Sequence, residues 1–160
     1  MPWARRRGRE CAYTIVELVL VIVIIGILGS IAGPRFFDNT AFDERAYSDE
    51  LAASLRYAQK VAVASGCHVR VDVAVGSYAL TQQLALAGHC DTADATYPVT
   101  VLLSTGEAMS GSAPTGITTA PAIVIIYDPS GGTDLGANQN LTIGTHTLTV
   151  HAASGLVVAQ

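Results

Sequence analysis

The longest apolar stretch of the chain runs from Tyr13 to Gly33 and contains one charged residue, Glu17. At a rise of about 1.5 Å per residue, a helix over this stretch is about 31 Å long, which is enough to cross the hydrocarbon core of a bilayer. A carboxylate in such a segment costs free energy unless it is paired, so Glu17 is a candidate functional residue that still needs a partner. The pattern therefore predicts a membrane-spanning helix over residues 13–33.

Small residues recur on the same helix. Gly26 and Ser30 are four residues apart, as are Gly29 and Gly33, and this spacing places small side chains on a stripe that lets two membrane helices approach closely. An equally open alternative is that glycine is simply common in membrane helices. Pro34 has no N–H and disfavours helix at the residue before it, so we expect a kink or a local loss of helix there.

Helical periodicity returns over residues 42–65 and ends at Gly66, a typical C-cap residue. A near match to a capping box at Thr40–Asp43 precedes it. Five apolar residues repeat at about 3.6-residue spacing and should face a core: Tyr47, Leu51, Leu55, Ala58 and Ala62.

Beyond Gly66 the pattern changes to alternation, which is typical of strands. In residues 67–75 the valines Val69, Val71, Val73 and Val75 share one face, and a turn at Gly76-Ser77 leads into a partner strand over residues 77–84. Further β-rich runs cover residues 97–103, 122–128, 140–144, 146–152 and 155–160, with turns at 110–116, 129–134 and 154–155. The expected fold class is α+β, with a long N-terminal helix whose second, amphipathic half packs on an antiparallel β-sheet or a two-sheet domain.

Charge is distributed unevenly along the 160 residues. Residues 1–12 contain four arginines and one glutamate. The chain from Tyr13 onward has five basic and twelve acidic residues, a net charge of 5 − 12 = −7. Arginines directly before an apolar helix predict a cytoplasmic N-terminus and an external C-terminal domain. The acidic remainder argues against binding of nucleic acid.

Residues 11–18, Cys-Ala-Tyr-Thr-Ile-Val-Glu-Leu, resemble the processing site of type IV prepilins and type II secretion pseudopilins, whose usual form is Gly followed by Phe-Thr-Leu-Ile-Glu-Leu. The short basic leader, Thr14, Glu17 and Pro34 occupy the family's positions, and the resemblance covers residues 1–36 closely. Two positions depart from the family pattern. Ala12 stands where the family has Gly, and Tyr13 stands where Phe or Met is commoner.

The resemblance implies three segments: a leader over residues 1–12, a membrane and assembly helix over 13–33, and a periplasmic pilin-like domain over 34–160. It also implies that a prepilin peptidase cuts between Ala12 and Tyr13 and methylates the new amine. The protein would then be a single-pass protein of the bacterial inner membrane with a periplasmic C-terminal domain. It would later enter a filament through an inner-membrane assembly platform. In that filament, Glu17 would pair with the Tyr13 amine of a neighbouring subunit and neutralise both charges.

The leader would remove Cys11, which leaves Cys67 and Cys90 as an even pair in an oxidising compartment. A disulfide is the simplest interpretation of this pair. Zinc is the alternative, since His68 and His89 adjoin the two cysteines. It is disfavoured because adjacent residues on a strand point to opposite faces.

The C-terminal half also carries a family resemblance. Residues 128–133, Asp-Pro-Ser-Gly-Gly-Thr, lack the Gly-Lys-Thr core of a phosphate loop and indicate a turn. With the later Ser-Gly-Leu-Val and the helix ending in SLRYAQKVAVASG, they are similar to the H-type minor pseudopilins and their FimT/FimU-like pilin relatives. The resemblance implies a minor pseudopilin of a type II secretion system that assembles with other subunits. The first alternative is a minor pilin of a type IV or MSHA-type pilus.

Two other classes of protein stay open, a DNA-binding minor pilin and a membrane-anchored periplasmic enzyme or binding module. The sequence contains no recognisable pairing of a nucleophile with a base and no metal-ligand spacing. We therefore expect a protein that is not an enzyme and that uses no cofactor or metal.

Overall fold

The computed structural model describes residues 14–36, 40–86, 88–90 and 95–160. The chain divides into two compact units, Met1–Asn39 and Thr40–Gln160. The first unit contains helix α1 (Ile15–Phe36) and the second contains helix α2 (Thr40–Ser65) and all the strands.

Helix α1 continues through Gly33 and Pro34 to Phe36, so the local loss of helix expected there does not occur. Proline removes one backbone hydrogen bond, but its fixed φ near about −65° is compatible with a helix. Within the described ranges, no helix combines the length and the apolar character that crossing a membrane requires. The span over residues 13–33 stays a prediction.

Helix α2 confirms the predicted periodicity. It begins two residues before the predicted start and ends at the predicted residue. The five residues expected in the core are each no more than 1% exposed: Tyr47, Leu51, Leu55, Ala58 and Ala62. Gly66 follows with φ +69°, and its N–H donates to the carbonyl of Ala62 at 3.0 Å, which makes it the C-cap.

Eleven strands follow α2 in the described residues. In chain order they are β1 (Val69–Val73), β2 (Ser77–Gln82), β3 (Ala85–Leu86), β4 (His89–Cys90), β5 (Val99–Thr100), β6 (Ser110–Ser112), β7 (Thr119–Ala120), β8 (Ile123–Tyr127), β9 (Gln139–Ile143), β10 (His146–Val150) and β11 (Val157–Ala159). All pairings among them are antiparallel.

The strands form two main sheets and one small one. The first sheet has the order β5-β2-β1-β8, with β6 also paired to β2. The second sheet has the order β11-β10-β9-β7, and β3 with β4 forms a separate two-stranded sheet. The alternation of side chains turns one face of each main sheet inward, and α2 packs against strands of both. The core of the domain therefore lies between one helix and two antiparallel sheets.

Strand β8 is an edge of the first sheet, and part of its free edge is bonded. The N–H of Ile126 donates to Oδ1 of Asp134 at 2.8 Å, and the N–H of Asp134 donates to the carbonyl of Ile126 at 3.0 Å. One residue thus satisfies both outward-facing backbone groups of Ile126 with its own backbone and side chain.

The predicted strands differ from the observed ones mainly in length. Val75 was expected on the same strand face as Val69, Val71 and Val73, but β1 ends at Val73 and Val75 is 57% exposed. Of the run 97–103, only Val99–Thr100 is a strand. Strand β6 lies inside the predicted turn at 110–116, and β3, β4 and β7 were not predicted. These strands have two or three residues each, too few to show alternation, and their neighbours in the sheet fix them.

Candidate functional site

Thr14 and Glu17 form the start of helix α1. The N–H of Glu17 donates to Oγ1 of Thr14 at 3.2 Å, and the N–H of Leu18 donates to the Thr14 carbonyl at 3.1 Å. Thr14 is therefore the N-cap and Glu17 the third helical residue, which is the arrangement of a capping box. A carboxylate in the first turn interacts favourably with the helix dipole, so this exposed Glu17 has a local structural role besides any role in assembly.

The predicted processing residues, Ala12 and Tyr13, lie outside the described residues. The pairing of Glu17 with the Tyr13 amine therefore stays a prediction. Among the described residues, Glu17 makes no ion pair.

Helix α1 exposes a continuous apolar surface. Its large hydrophobic side chains from Ile15 to Leu28 are 44–83% exposed. A Cβ placed on Gly26 or Gly29 would meet no atom of another described part of helix α1 within 4 Å, so both positions are open on the helix surface. Ser30, Gly33 and Pro34 continue the helix backbone, but their side-chain surroundings lie outside the described part of the chain.

A disulfide joins Cys67 to Cys90, with their Cα atoms 5.2 Å apart. Cys67 directly follows the C-cap of α2 and is 1% exposed, whereas Cys90 ends the small β3–β4 sheet. The bond therefore ties that sheet to the end of the helix. Because both sulfurs are used, the zinc alternative loses two of its four proposed ligands.

The Asp-Pro-Ser-Gly-Gly-Thr segment forms a turn, as predicted, and it is organised by Asp128. The Asp128 carboxylate accepts hydrogen bonds from the hydroxyl and N–H of Ser130 and from the N–H of Gly132. The Ser130 hydroxyl contributes most to holding the pKa of Asp128 below its ordinary value, and the two backbone N–H groups act in the same direction. The amides of this turn are occupied by the protein's own carboxylate, so they are not a free phosphate cradle.

Gln59 of α2 connects this turn to the later Ser-Gly-Leu-Val segment. Its Nε2 donates to the carbonyl of Gly131 and to the carbonyl of Ser154, both at 2.7 Å. Gly155 has φ +64°, and a Cβ there would collide with the Gly131 carbonyl and crowd Gln59. The two C-terminal motifs therefore meet at one helix residue and serve to hold the fold. Sequence reasoning found both motifs but missed Gln59, which no local pattern distinguishes.

A second polar contact joins helix α2 to strand β2. The hydroxyl of Tyr78, which is 3% exposed, donates to Oε1 of Glu50 at 2.6 Å. Burial, and then the Glu50 carboxylate, raise the pKa of Tyr78 to about 12. Gly111 of β6 lies against this pair, and a Cβ there would collide with the Tyr78 ring.

Glu44 joins the start of α2 to the second sheet. Its Oε2 accepts hydrogen bonds from the N–H and the hydroxyl of Thr145, at 3.2 and 3.3 Å, in the hairpin turn between β9 and β10. This contact and the Gln59 contacts fix the two ends of α2 on the sheets.

The histidines of the domain do not assemble with the cysteines into a metal site. His68 donates its N–H to Oε1 of Gln83, and His146 and His151 lie in and after β10. In the residues that the structure describes, no three His, Cys, Asp or Glu side chains are close enough to hold a metal ion.

Comparison with known proteins identifies relatives at three levels. In sequence, the chain is 48% identical over 54 residues to the type IV narrow pilus major component PilA5 of Thermus thermophilus, an alignment that covers 34% of this chain and 47% of the relative. The aligned segment thus spans about half the length of that relative. In fold, the chain is similar to two crystal structures of the type IV minor pilin FimU of Pseudomonas aeruginosa. The first has a TM-score of 0.50 and is 13% identical, with 76% of this chain and 91% of the FimU chain covered. The second has a TM-score of 0.47 and is 14% identical, with 72% of this chain and 91% of the FimU chain covered.

The structural similarity at 13% identity supports the α+β pilin-like fold and nothing finer. The family assignment comes from the sequence model described as Type II transport protein GspH, which matches residues 48–159. This range begins in α2 and contains every strand, the disulfide, and the two C-terminal motifs that meet at Gln59. Since the match covers most of the chain, the protein belongs to the GspH family and is a pilin-like component.

Proposed function

We propose that this protein is a minor pseudopilin of a type II secretion system, anchored in the inner membrane by α1 and assembled into or at the tip of a periplasmic pseudopilus. One observation carries the proposal. A GspH-family domain follows an apolar helix whose first turn holds Thr14 and Glu17. The role is structural rather than catalytic.

The exposed apolar surface of α1 supports assembly through this helix. An open apolar surface on this helix is lined by Ile15, Val16, Val19, Leu20, Val23 and Ile24. Gly26 and Gly29 leave space for a close helix partner. A surface of this kind needs either lipid or other helices around it. In a membrane anchor this surface is covered by lipid, and after the helix enters a filament core it is covered by the helices of other subunits.

A prepilin peptidase would act first, between Ala12 and Tyr13, and the assembly platform would act afterwards. The mass of the N-terminus, measured in cells with and without the peptidase, tests this order. We expect a methylated Tyr13 start only in cells that have the peptidase. An intact leader in both strains would overturn the pilin-type processing and favour a plain membrane-anchored module.

Glu17 is the residue expected to drive assembly. Glu17→Ala should leave the protein cleaved and membrane-bound but absent from filaments, because the neighbour's amine loses its counter-charge. Glu107→Ala is a suitable control, since it removes a carboxylate from an exposed loop of the folded domain. Normal incorporation of the Glu17 variant would refute the assembly role.

A minor pilin of a type IV pilus is the second candidate, and the similarity to the pilus component PilA5 favours it. Deletion of the gene separates the two candidates. Loss of secreted enzymes from the medium with intact surface pili supports the pseudopilin, whereas loss of pili with normal secretion supports the pilin.

A further inference from the structure

A cleft of about 260 Å³ lies between the first half of α2 and the second sheet. It is lined by Arg45, Ser48 and Asp49 from α2 and by His146, Ala159 and Gln160 from the sheet. Two hydrogen bonds join the same helix and sheet: Glu44 accepts from the N–H of Thr145, and Arg56 donates to the carbonyl of Val157.

The sheet side of the cleft is an open strand edge. Thr147 and Gln160 exchange hydrogen bonds at 2.9 and 3.3 Å, so the neighbouring Leu148–Ala159 pair is a non-bonded pair of the antiparallel ladder. The N–H and C=O of Ala159 therefore point away from β10, and Ala159 lines the cleft. Among the described residues neither group has a partner. Such an edge is a template for an added strand.

The helix side of the cleft contributes a hydroxyl that is similarly unused. Ser48 is 3% exposed and lines the cleft, and no described residue hydrogen-bonds its side chain. Serine in a helix commonly bonds the carbonyl four residues earlier, as Ser54 does with Glu50 at 2.9 Å. Ser48 does not, so its hydroxyl is available to a ligand in the cleft.

Arg45 supplies the charge. Its Nε lies 3.9 Å from Oδ2 of Asp49, and the two side chains are 75% and 68% exposed. An exposed ion pair at this distance is weak, so a better-placed carboxylate can displace Asp49 from Arg45. A guanidinium binds a carboxylate through two parallel hydrogen bonds, which adds geometric selectivity.

We propose that this cleft binds an extended peptide segment that carries an acidic side chain. The segment pairs with β11 through the N–H and C=O of Ala159, and its carboxylate accepts hydrogen bonds from Arg45 and Ser48. The inference rests on the proposed function only for the source of the peptide, which is a neighbouring filament subunit.

The test is a nuclear magnetic resonance titration of the full chain in detergent micelles. The probe is the peptide N-acetyl-Val-Asp-Val-amide, and its Asn counterpart and acetate are the comparisons. We expect saturable shifts of the backbone amides of Ser48 and Ala159, and we expect the Asn peptide to bind about fivefold more weakly than the Asp peptide. Equal binding of the two peptides would overturn the carboxylate contact. Binding of acetate as tight as that of the Asp peptide would overturn the strand contact at Ala159.

Three variants test which charged side chains of α2 contribute to binding of the Asp peptide. Arg45→Gln should weaken binding of the Asp peptide about fivefold, and Asp49→Asn should tighten it by a few-fold because it removes the competing carboxylate. Lys60→Gln removes a positive charge elsewhere on α2 and should change nothing. An Arg45 variant that binds normally, or an Asp49 variant that binds more weakly, would contradict the proposal.

The titration needs no filament, so its failure is distinct from failure of the proposed function. Absence of saturable shifts would overturn the peptide site and leave the Glu17 and peptidase tests unaffected. Normal assembly of Glu17→Ala would overturn the proposed function and leave the titration result standing.

Discussion

The side-chain nitrogen of Gln59 lies 2.7 Å from the carbonyl oxygen of Gly131, across 72 residues of sequence. The same nitrogen bonds the carbonyl of Ser154. One amide group thus holds the two C-terminal motifs of the GspH domain against the end of α2.

Gln59→Leu should lower the free energy of unfolding by about 2 kcal/mol, because it removes two hydrogen bonds and takes the side-chain donor from the carbonyl of Gly131 in a partly buried contact. Chemical denaturation of the full chain in micelles measures the change. Lys60→Leu, at the neighbouring exposed position, is the matched control and should change the free energy by less than about 0.5 kcal/mol. Equal effects of the two substitutions would contradict the role given to Gln59.

Gly155→Ala should destabilise the domain by at least about 2 kcal/mol, since φ is +64° and the new methyl group would collide with the Gly131 carbonyl. Gly136→Ala is the control, because a Cβ there meets nothing within 4 Å. Thermal unfolding of the two variants gives the comparison. If Gly136→Ala were destabilised and Gly155→Ala were not, the requirement for glycine at Gly155 would be contradicted.

Alkaline pH should destabilise the fold through Tyr78. Its pKa is raised to about 12, so the folded state retains a proton that the unfolded state loses above the ordinary value of 10.0. The contribution of Tyr78 to the free energy of unfolding is complete below pH 10. It is lost as the pH rises toward 12, at up to about 1.4 kcal/mol per pH unit. Burial also raises the pKa of Tyr47 and Tyr127, which adds to the same trend.

Tyr78→Phe should make this alkaline decline shallower, as measured by denaturation between pH 9 and pH 12. Glu50→Gln keeps an acceptor for the Tyr78 hydroxyl but removes the charge, and it should reduce the slope by a smaller amount because burial is the larger cause. An unchanged slope in Tyr78→Phe would show that other groups control the decline.

Acid pH should act through Asp128. Its pKa lies below the ordinary value, so its contribution to stability is present above the unfolded pKa and is lost as the pH falls through the lower folded value. Asp128→Asn should therefore flatten the stability profile below about pH 4. Ser130→Ala removes the largest cause and should produce part of the same effect. If both variants kept the pH dependence of stability of the native protein, the role given to Asp128 would be contradicted.

The disulfide should stabilise the domain by about 3 kcal/mol, as a loop closed over a sequence separation of 23 residues. The double variant Cys67→Ala, Cys90→Ala should unfold at correspondingly lower denaturant concentration. A reductant should destabilise the native protein but leave this variant unchanged. Equal sensitivity to the reductant in both would mean that the bond contributes little.

The sequence predicted those elements whose residues repeat at a regular spacing. The apolar spacing of α2 identified its buried face residue by residue, and Gly66 marked its end. The alternation around Val71 identified the β1–β2 hairpin because one face of that strand is fully buried.

The sequence failed where a contact joins distant segments. Nothing local marks Glu44 or Gln59 as different from other polar residues of α2, because their partners lie about 70 to 100 residues away. The two-residue strands were missed for a related reason, since pairing with a neighbour defines them. At α1, the residues that carry the expected processing chemistry, Ala12 and Tyr13, lie outside the described structure.

The Asp134 contact on β8 has a consequence for solubility. An unpaired sheet edge can recruit the edge of another molecule and start uncontrolled β-aggregation. Asp134 occupies both outward groups of Ile126 and puts a carboxylate beside them, so the bare part of this edge is too short and too close to a charge to template a growing stack. Crowding of many copies therefore does not join their first sheets along β8.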